Sequence, residues 1–252
     1  MTVLGEAYRV AWGDLVYMRE NMAEVLLSSL VGPLLYLLAF GFGVGGSMDD
    51  PRGYVMYIVP GIVALTTLSS TFSPVSMKVL VQRLFYMSFD ELLLCPLHIS
   101  AIILGKAMQG IVRAFLSCTI LIVVGWLLSP QISVSPWVFV LILFAGLMFS
   151  LLGLLAGMIT SKTQNLALFS SVAIIPMTFL CGTLFDSAAL PGAVAFIIDI
   201  LPLSPVSGLM RGLMLPDYSI ELGSVAIMAA YIALFFCGCY YMIKNNKCRG
   251  GL

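Results

Sequence analysis

The sequence predicts an all-α integral membrane protein, a single transmembrane domain crossing the bilayer six times. Three observations predict it. Of 252 residues, 61% are hydrophobic and 10% charged, whereas soluble domains carry about 45–50% apolar and about 25% charged residues. Six apolar runs approach the about 20 residues that a helix needs to span the hydrocarbon core. The basic residues also gather on one side. With the N-terminus inside, the inner segments hold Arg9, Arg19, Lys78, Arg83, Lys106, Lys162, Lys244, Lys247 and Arg249, and the outer ones hold only Arg52 and Arg211. This positive-inside bias places both termini in the cytoplasm.

Residues 1–24 contain Glu6, Arg9, Asp14, Arg19, Glu20 and Glu24 without an apolar core before a cleavage site, so no cleavable signal is expected. Leu4, Ala7, Tyr8, Ala11, Leu15 and Met18 recur at helical spacing, with Glu6, Arg9, Gly13 and Glu20 opposite. Such a helix is expected to lie at the membrane surface. Spans one to five fall within 25–183, at 25–44, 54–77, 107–129, 137–160 and 166–183. Thr66, Ser70 and Ser73 share a face of span two, suited either to a helix partner or to a wet cavity. The stretch 184–215 is apolar but broken by Asp186, Pro191, Gly192, Asp199, Pro202, Pro205 and Arg211. Two short helices that dip in and return fit it better than a crossing. Span six is 222–243.

Between spans two and three, residues 83–106 hold Arg83, Asp90, Glu91, His98 and Lys106. Ser88 and Glu91 have capping-box spacing, and Pro96 stops a short helix over about 89–95. Phe85, Phe89, Leu92, Leu93 and Leu94 make this helix too apolar for a plain solvated link. By spacing alone it either docks into another protein or rests on lipid headgroups.

Little of the chemistry of an enzyme is present. His98 is the one histidine, and no nucleophile elbow, zinc pattern or phosphate-binding G-x-x-x-x-G-K-[ST] loop occurs. The cysteines Cys95, Cys118, Cys181, Cys237, Cys239 and Cys248 lack metal-site spacing and read as small hydrophobes, so no metal site is expected. Nor does the charge distribution suggest a nucleic-acid surface. Arg113 is the single charge deep in a span, either snorkelling to the interface or facing a cavity and an anionic substrate group. The absence of mid-membrane acids argues against a proton-coupled carrier, and the missing phosphate loop means that energy for uphill transport must come from another subunit. An ATP-independent carrier or channel and a membrane enzyme are the rival classes.

Two motifs then carry a family resemblance. One is Arg83 with Asp90-Glu91-Leu92-Leu93-Leu94-Cys95-Pro96 and Gly105-Lys106; the other is Pro176, Leu180-Cys181-Gly182-Thr183-Leu184-Phe185, Leu190-Pro191, Leu201-Pro202-Leu203-Ser204-Pro205 and Leu209-Met210-Arg211-Gly212. In this order and topology the chain resembles the ABC-2 family of transporter permeases over nearly its whole length. It is most similar overall to the bacterial lipooligosaccharide, polysaccharide and drug exporters. Ser204-Pro205 stands where many members have Asn-Pro, and the proline often found near Asp186 is missing, which leaves the substrate unassigned.

The resemblance implies an export subunit of the bacterial inner membrane, paired with a second permease chain in a homodimer and with two cytoplasmic ATPase chains. It implies no cofactor on this chain, with ATP and Mg held by the ATPase. Arg83, Phe89, Asp90, Glu91, Leu92, Leu93 and Pro96 would form the coupling helix, with Arg83 and Glu91 as polar contacts to the ATPase. The expected pathway residues are Tyr36, Phe40, Tyr57, Thr66, Ser70, Arg113 and Phe179. The re-entrant segment would contribute Pro191, Pro202, Pro205 and Arg211 at the outer end. Membrane lipids complete the expected partners.

Overall fold

The computed structural model describes residues 2–44, 51–128, 134–180, 200–215 and 222–245. They form helices α1 (Val3–Glu20), α2 (Met22–Leu38), α3 (Pro51–Leu84), α4 (Ser88–Leu94), α5 (Ile99–Leu128), α6 (Pro136–Ile159), α7 (Thr163–Leu180), α8 (Leu203–Met214) and α9 (Leu222–Lys244). No strand occurs among the described residues. In a bilayer each backbone N–H and C=O must be satisfied within its own segment, which is why uncharged runs of this length resolve into helices. Five of them, α2, α3, α5, α6 and α9, are long and apolar enough to cross a membrane. The expected span 166–183 corresponds to α7, and its last three residues lie outside the described ones. Pro191 and the first half of the expected hairpin also lie outside them. The second half is α8, which begins directly after Pro202 and carries Pro205 in its first turn, where a missing N–H costs nothing.

The core is the packing of α3 against α5 and α6. Ile58, Ile62, Leu68, Phe72 and Leu80 of α3 are fully buried, as are Ile103 of α5 and Met148 and Phe149 of α6. Side-chain size sets the helix separation. Gly153 and Gly157 on α6 are four apart, and a Cβ on them would meet the α3 backbone at Phe72 O (2.8 Å) and Ser76 O (2.6 Å). Small residues at this spacing let two backbones approach closely in lipid, where packing replaces the hydrophobic effect as the driving force.

At 34 residues α3 is roughly 50 Å long, well beyond the about 30 Å hydrocarbon core. It therefore carries its last turns past the membrane to the 83–106 segment. Beside them runs α1. Glu6 contacts His98 and Asp14 contacts Lys106 with the same offset of 92 residues, so α1 lies parallel to the start of α5.

The buried face of α1 corrects the sequence expectation. Glu6, Ala7, Ala11, Asp14 and Met18 are buried, so Glu6, read opposite the apolar stripe, turns inward, while Leu4 and Tyr8 of that stripe are 76% and 49% exposed. Two carboxylates turn inward, Glu6 to His98 just before α5 and Asp14 to lysines of α3 and α5. The outward stripe of Leu4, Tyr8 and Trp12, with the two rings 5.5 Å apart, is left for the interface.

Candidate functional site

Where α3 ends, the chain turns sharply into α4. The capping box expected at Ser88 and Glu91 does not form. Ser88 is already the first helical residue, and Met87 is the cap, with φ 54° and no side-chain hydrogen bond. The Met87 carbonyl instead accepts from the backbone N–H groups of Asp90 and Glu91 at 3.1 and 3.3 Å. A left-handed non-glycine residue costs about 1–2 kcal/mol. The neighbouring anchors hold it there: Phe89 is 1% exposed within the core, and Leu93 packs against that core.

A second correction concerns Arg83. Expected as a surface contact, it is 4% exposed. Its guanidinium turns back to the end of α6, donating to the carbonyls of Gly157 (3.1 Å), Met158 and Thr160 (2.9 Å). The last carbonyls of a helix have no intrahelical partner, and the partial negative charge there favours a cation. Arg83 thus ties the base of the α3–α4 turn to the C-terminal end of α6, and it is not available at the surface.

The outward face of the segment is apolar. Phe85, Tyr86, Met87 and Leu94 are 68%, 72%, 54% and 76% exposed. Glu91, Cys95 and Pro96 are exposed beside them. Leu92 and Leu93 are half-buried, and Asp90 turns Oδ1 into the protein, where it finds no hydrogen-bond partner among the described residues. Of the residues expected to contact an ATPase, Glu91 and Pro96 face outward, and Phe89 and Arg83 support the segment from behind. The reading of the sequence missed the aromatic pair Phe85-Tyr86 as surface. No sequence signal marked them, since the left-handed turn at Met87 that turns them outward is not one a methionine announces.

Two charge clusters hold α1 to this assembly. Asp14, buried, receives Lys78 of α3 at 2.9 Å on Oδ1 and Lys106 of α5 at 3.2 Å on Oδ2. Tyr17 lies under the Lys78 ammonium, 5.2 Å from ring centre to nitrogen. Three helices therefore meet at one carboxylate. Glu6 Oε2 accepts from the backbone N–H of His98 at 3.0 Å and from its ring Nδ1 at 2.9 Å, which requires the proton on Nδ1. The backbone bond first, then the ring bond, holds the Glu6 carboxyl below its usual range. Gly105 permits the close approach, since a Cβ there would sit 2.7 Å from that of Val10.

The expected pathway residues are dispersed. Tyr36 stacks on Phe40 at 6.4 Å between ring centres. Tyr57 lies under the Arg211 guanidinium at 4.3 Å, which joins α3 to the buried face of α8. Thr66 and Ser70 sit within the α3 packing, 0% and 1% exposed. The Thr66 hydroxyl donates to Ile62 O at 2.7 Å, and Ser70 Oγ has no hydrogen-bond partner among the described residues. Arg113 binds Ser28 and Ser29 of α2, each at 2.7 Å. The Phe179 side chain lies outside the description. Among the described residues no acidic, histidine and cysteine cluster could hold a metal.

The family profile described as ABC-2 type transporter matches residues 8–215, which include both motifs and every helix from α2 to α8. The chain belongs to the ABC-2 type transporter family. It is similar to the inner membrane transport permease YadH of Escherichia coli K12, 24% identical over 232 residues that cover 89% of each chain. It is also similar to nodulation protein J of Neorhizobium galegae, 26% identical over 222 residues, 84% of this chain and 82% of that one. Nodulation protein J of Bradyrhizobium diazoefficiens is 24% identical over 233 residues, 86% and 87% of the two chains. Members of this family are transmembrane permease subunits that normally work with an ABC ATPase. This chain is accordingly a multi-pass membrane permease subunit.

Proposed function

We propose that this ABC-2 permease provides the translocation pathway of an ATP-driven exporter for a lipid-linked, glycan or amphipathic drug-like substrate. It has no ATPase site of its own. Two copies form a homodimer in the bacterial inner membrane, with both termini cytoplasmic, and two ATPase chains bind ATP and Mg below them. One observation carries the reading: an exposed apolar face of Phe85, Tyr86, Met87 and Leu94 sits on a short segment that is itself locked to the core by Phe89 and Arg83. Exposed aromatic and aliphatic anchors on a rigid support are what a protein interface uses. A push on α4 passes to α3 through the turn and to α6 through Arg83, so the packed block of α3, α5 and α6 moves together. Outward-facing Leu27, Val31 and Leu35 on α2, and Leu168, Val172 and Ile175 on α7, leave apolar faces for the second permease chain and lipid.

Purification of the chain from its native membranes in mild detergent tests the reading. An ATPase is expected to accompany the wild type and to be lost from Glu91→Arg/Leu94→Asp, because both side chains face outward. Leu93→Asp is expected to reduce the yield of folded chain instead, since Leu93 packs inward. A wild-type chain that purifies alone and moves a solute without ATP would establish the carrier reading.

A further inference from the structure

Arg113 meets the opposing charge of Glu24 on α2 only through space, without an ion pair. It lies on α5 seven residues beyond Lys106, about 10 Å deeper into the membrane. Its Nε donates to Ser29 Oγ at 2.7 Å, and its Nη2 donates to Ser28 Oγ at 2.7 Å and more weakly to the Val25 carbonyl at 3.4 Å. Both serine hydroxyls in turn donate to that same carbonyl, at 3.1 and 2.8 Å, which aims their lone pairs at the guanidinium. The arrangement fixes the fork in place, but every acceptor in it is neutral. Arg113 forms no ion pair among the described residues. Its Nη1 has no partner among them, and the side chain is only half-buried.

The surroundings fit a ligand with two parts. Ser28, Val31 and Leu35 recur at i, i+3 and i+7 on α2, and Val31 and Leu35 are 52% and 59% exposed. An apolar track therefore rises along α2 from the guanidinium toward the membrane centre. An anionic head at the Arg113 level, with a hydrocarbon tail along Val31 and Leu35, matches both features. A soluble anion would use only the first.

The geometry points to a phospholipid site: the seam between α2 and α5 holds the phosphate of an anionic phospholipid from the leaflet at the α4 end of the spans, which is the cytoplasmic leaflet in the reading above. Arg113 grips the phosphate through its free donor edge, a planar fork that suits phosphate oxygens. Ser28 and Ser29 hold the fork in position, and Val31 and Leu35 support an acyl chain. The site is independent of what the permease transports.

Native mass spectrometry of the full-length chain, delipidated and then titrated with phosphatidylglycerol or phosphatidylethanolamine, tests it. The wild type is expected to retain phosphatidylglycerol about tenfold more tightly, about 1.4 kcal/mol. Arg113→Gln is expected to lose that preference, and Arg113→Lys, which keeps the charge without the fork, to keep about a third of the affinity. Equal retention of the two lipids by the wild type overturns the proposal without any variant. Unchanged phosphatidylglycerol binding by Arg113→Gln also overturns it. So does displacement of the lipid by millimolar inorganic phosphate, which would mark a small-anion site.

Discussion

Replacing Arg83 with methionine separates a buried clamp from a surface contact. The change keeps an unbranched side chain of similar reach and removes the guanidinium. Three hydrogen bonds to Gly157, Met158 and Thr160 are lost. At about 1 kcal/mol net for each, together with up to about 1 kcal/mol for a cation at a helix C-terminus, the loss approaches 4 kcal/mol. Water reaching the freed carbonyls at the membrane edge returns part of this, so the expected destabilisation is about 3 kcal/mol, roughly a hundredfold in the folding equilibrium. Arg83→Lys keeps the charge but has no fork, and should recover about 1 kcal/mol. Titration of purified chains in mixed micelles with SDS, followed by circular dichroism, measures both. Arg83→Met as stable as wild type, yet unable to retain an ATPase, would return Arg83 to the surface and refute the clamp.

Three further outcomes follow from the same contacts. Asp14→Asn leaves Lys78 and Lys106 facing each other without their shared carboxylate, and should cost about 3 kcal/mol in the same titration; a loss below 1 kcal/mol contradicts the three-helix junction. Because the Glu6 carboxyl is held below its usual range, its stabilisation is complete above the ordinary titration of a carboxylate and fades as the pH falls through the lowered value. The melting temperatures of wild type and Glu6→Gln should therefore differ at pH 7 and converge in acid, whereas a gap that widens on acidification reverses the sign. Gly157→Ala forces a Cβ to within 2.6 Å of Ser76 O, while Gly208→Ala meets nothing within 4 Å. The first should lose about 1–3 kcal/mol, the second should be neutral or gain up to about 1 kcal/mol, and equal melting temperatures would remove the close α3–α6 approach.

Helices and spans were legible in the sequence because an apolar run of bilayer length has few other solutions. The short helix α4 was legible too, through its apolar content between charges and the stop at Pro96. What escaped was direction. Arg83 and Glu6 read as surface charges, and Asp14 went unassigned, because a one-dimensional pattern cannot reveal that a carbonyl triad, His98 or lysines from two distant helices meet them. The inward turn of Glu6 and Asp14 has the same origin: Glu6 meets His98 just before α5, and Asp14 meets lysines of α3 and α5. The capping box failed for a local reason, since the tight reversal after Leu84 already places Met87 in the cap. Gly153 and Gly157, a four-residue pair of small residues, were passed over in the sequence, because such spacing does not name the helix that packs on it.

The central claim is that an ATPase sits on the apolar face around Leu94. The most direct test is a photo-activated cross-linker placed at Leu94 in native membranes, with the same probe at Leu93 as the inward-facing control. The expected product is a covalent adduct between the Leu94 probe and an ABC ATPase chain, with none from Leu93. A Leu94 probe that labels only lipid, in membranes where the chain is folded and its ATPase is expressed, would contradict the claim.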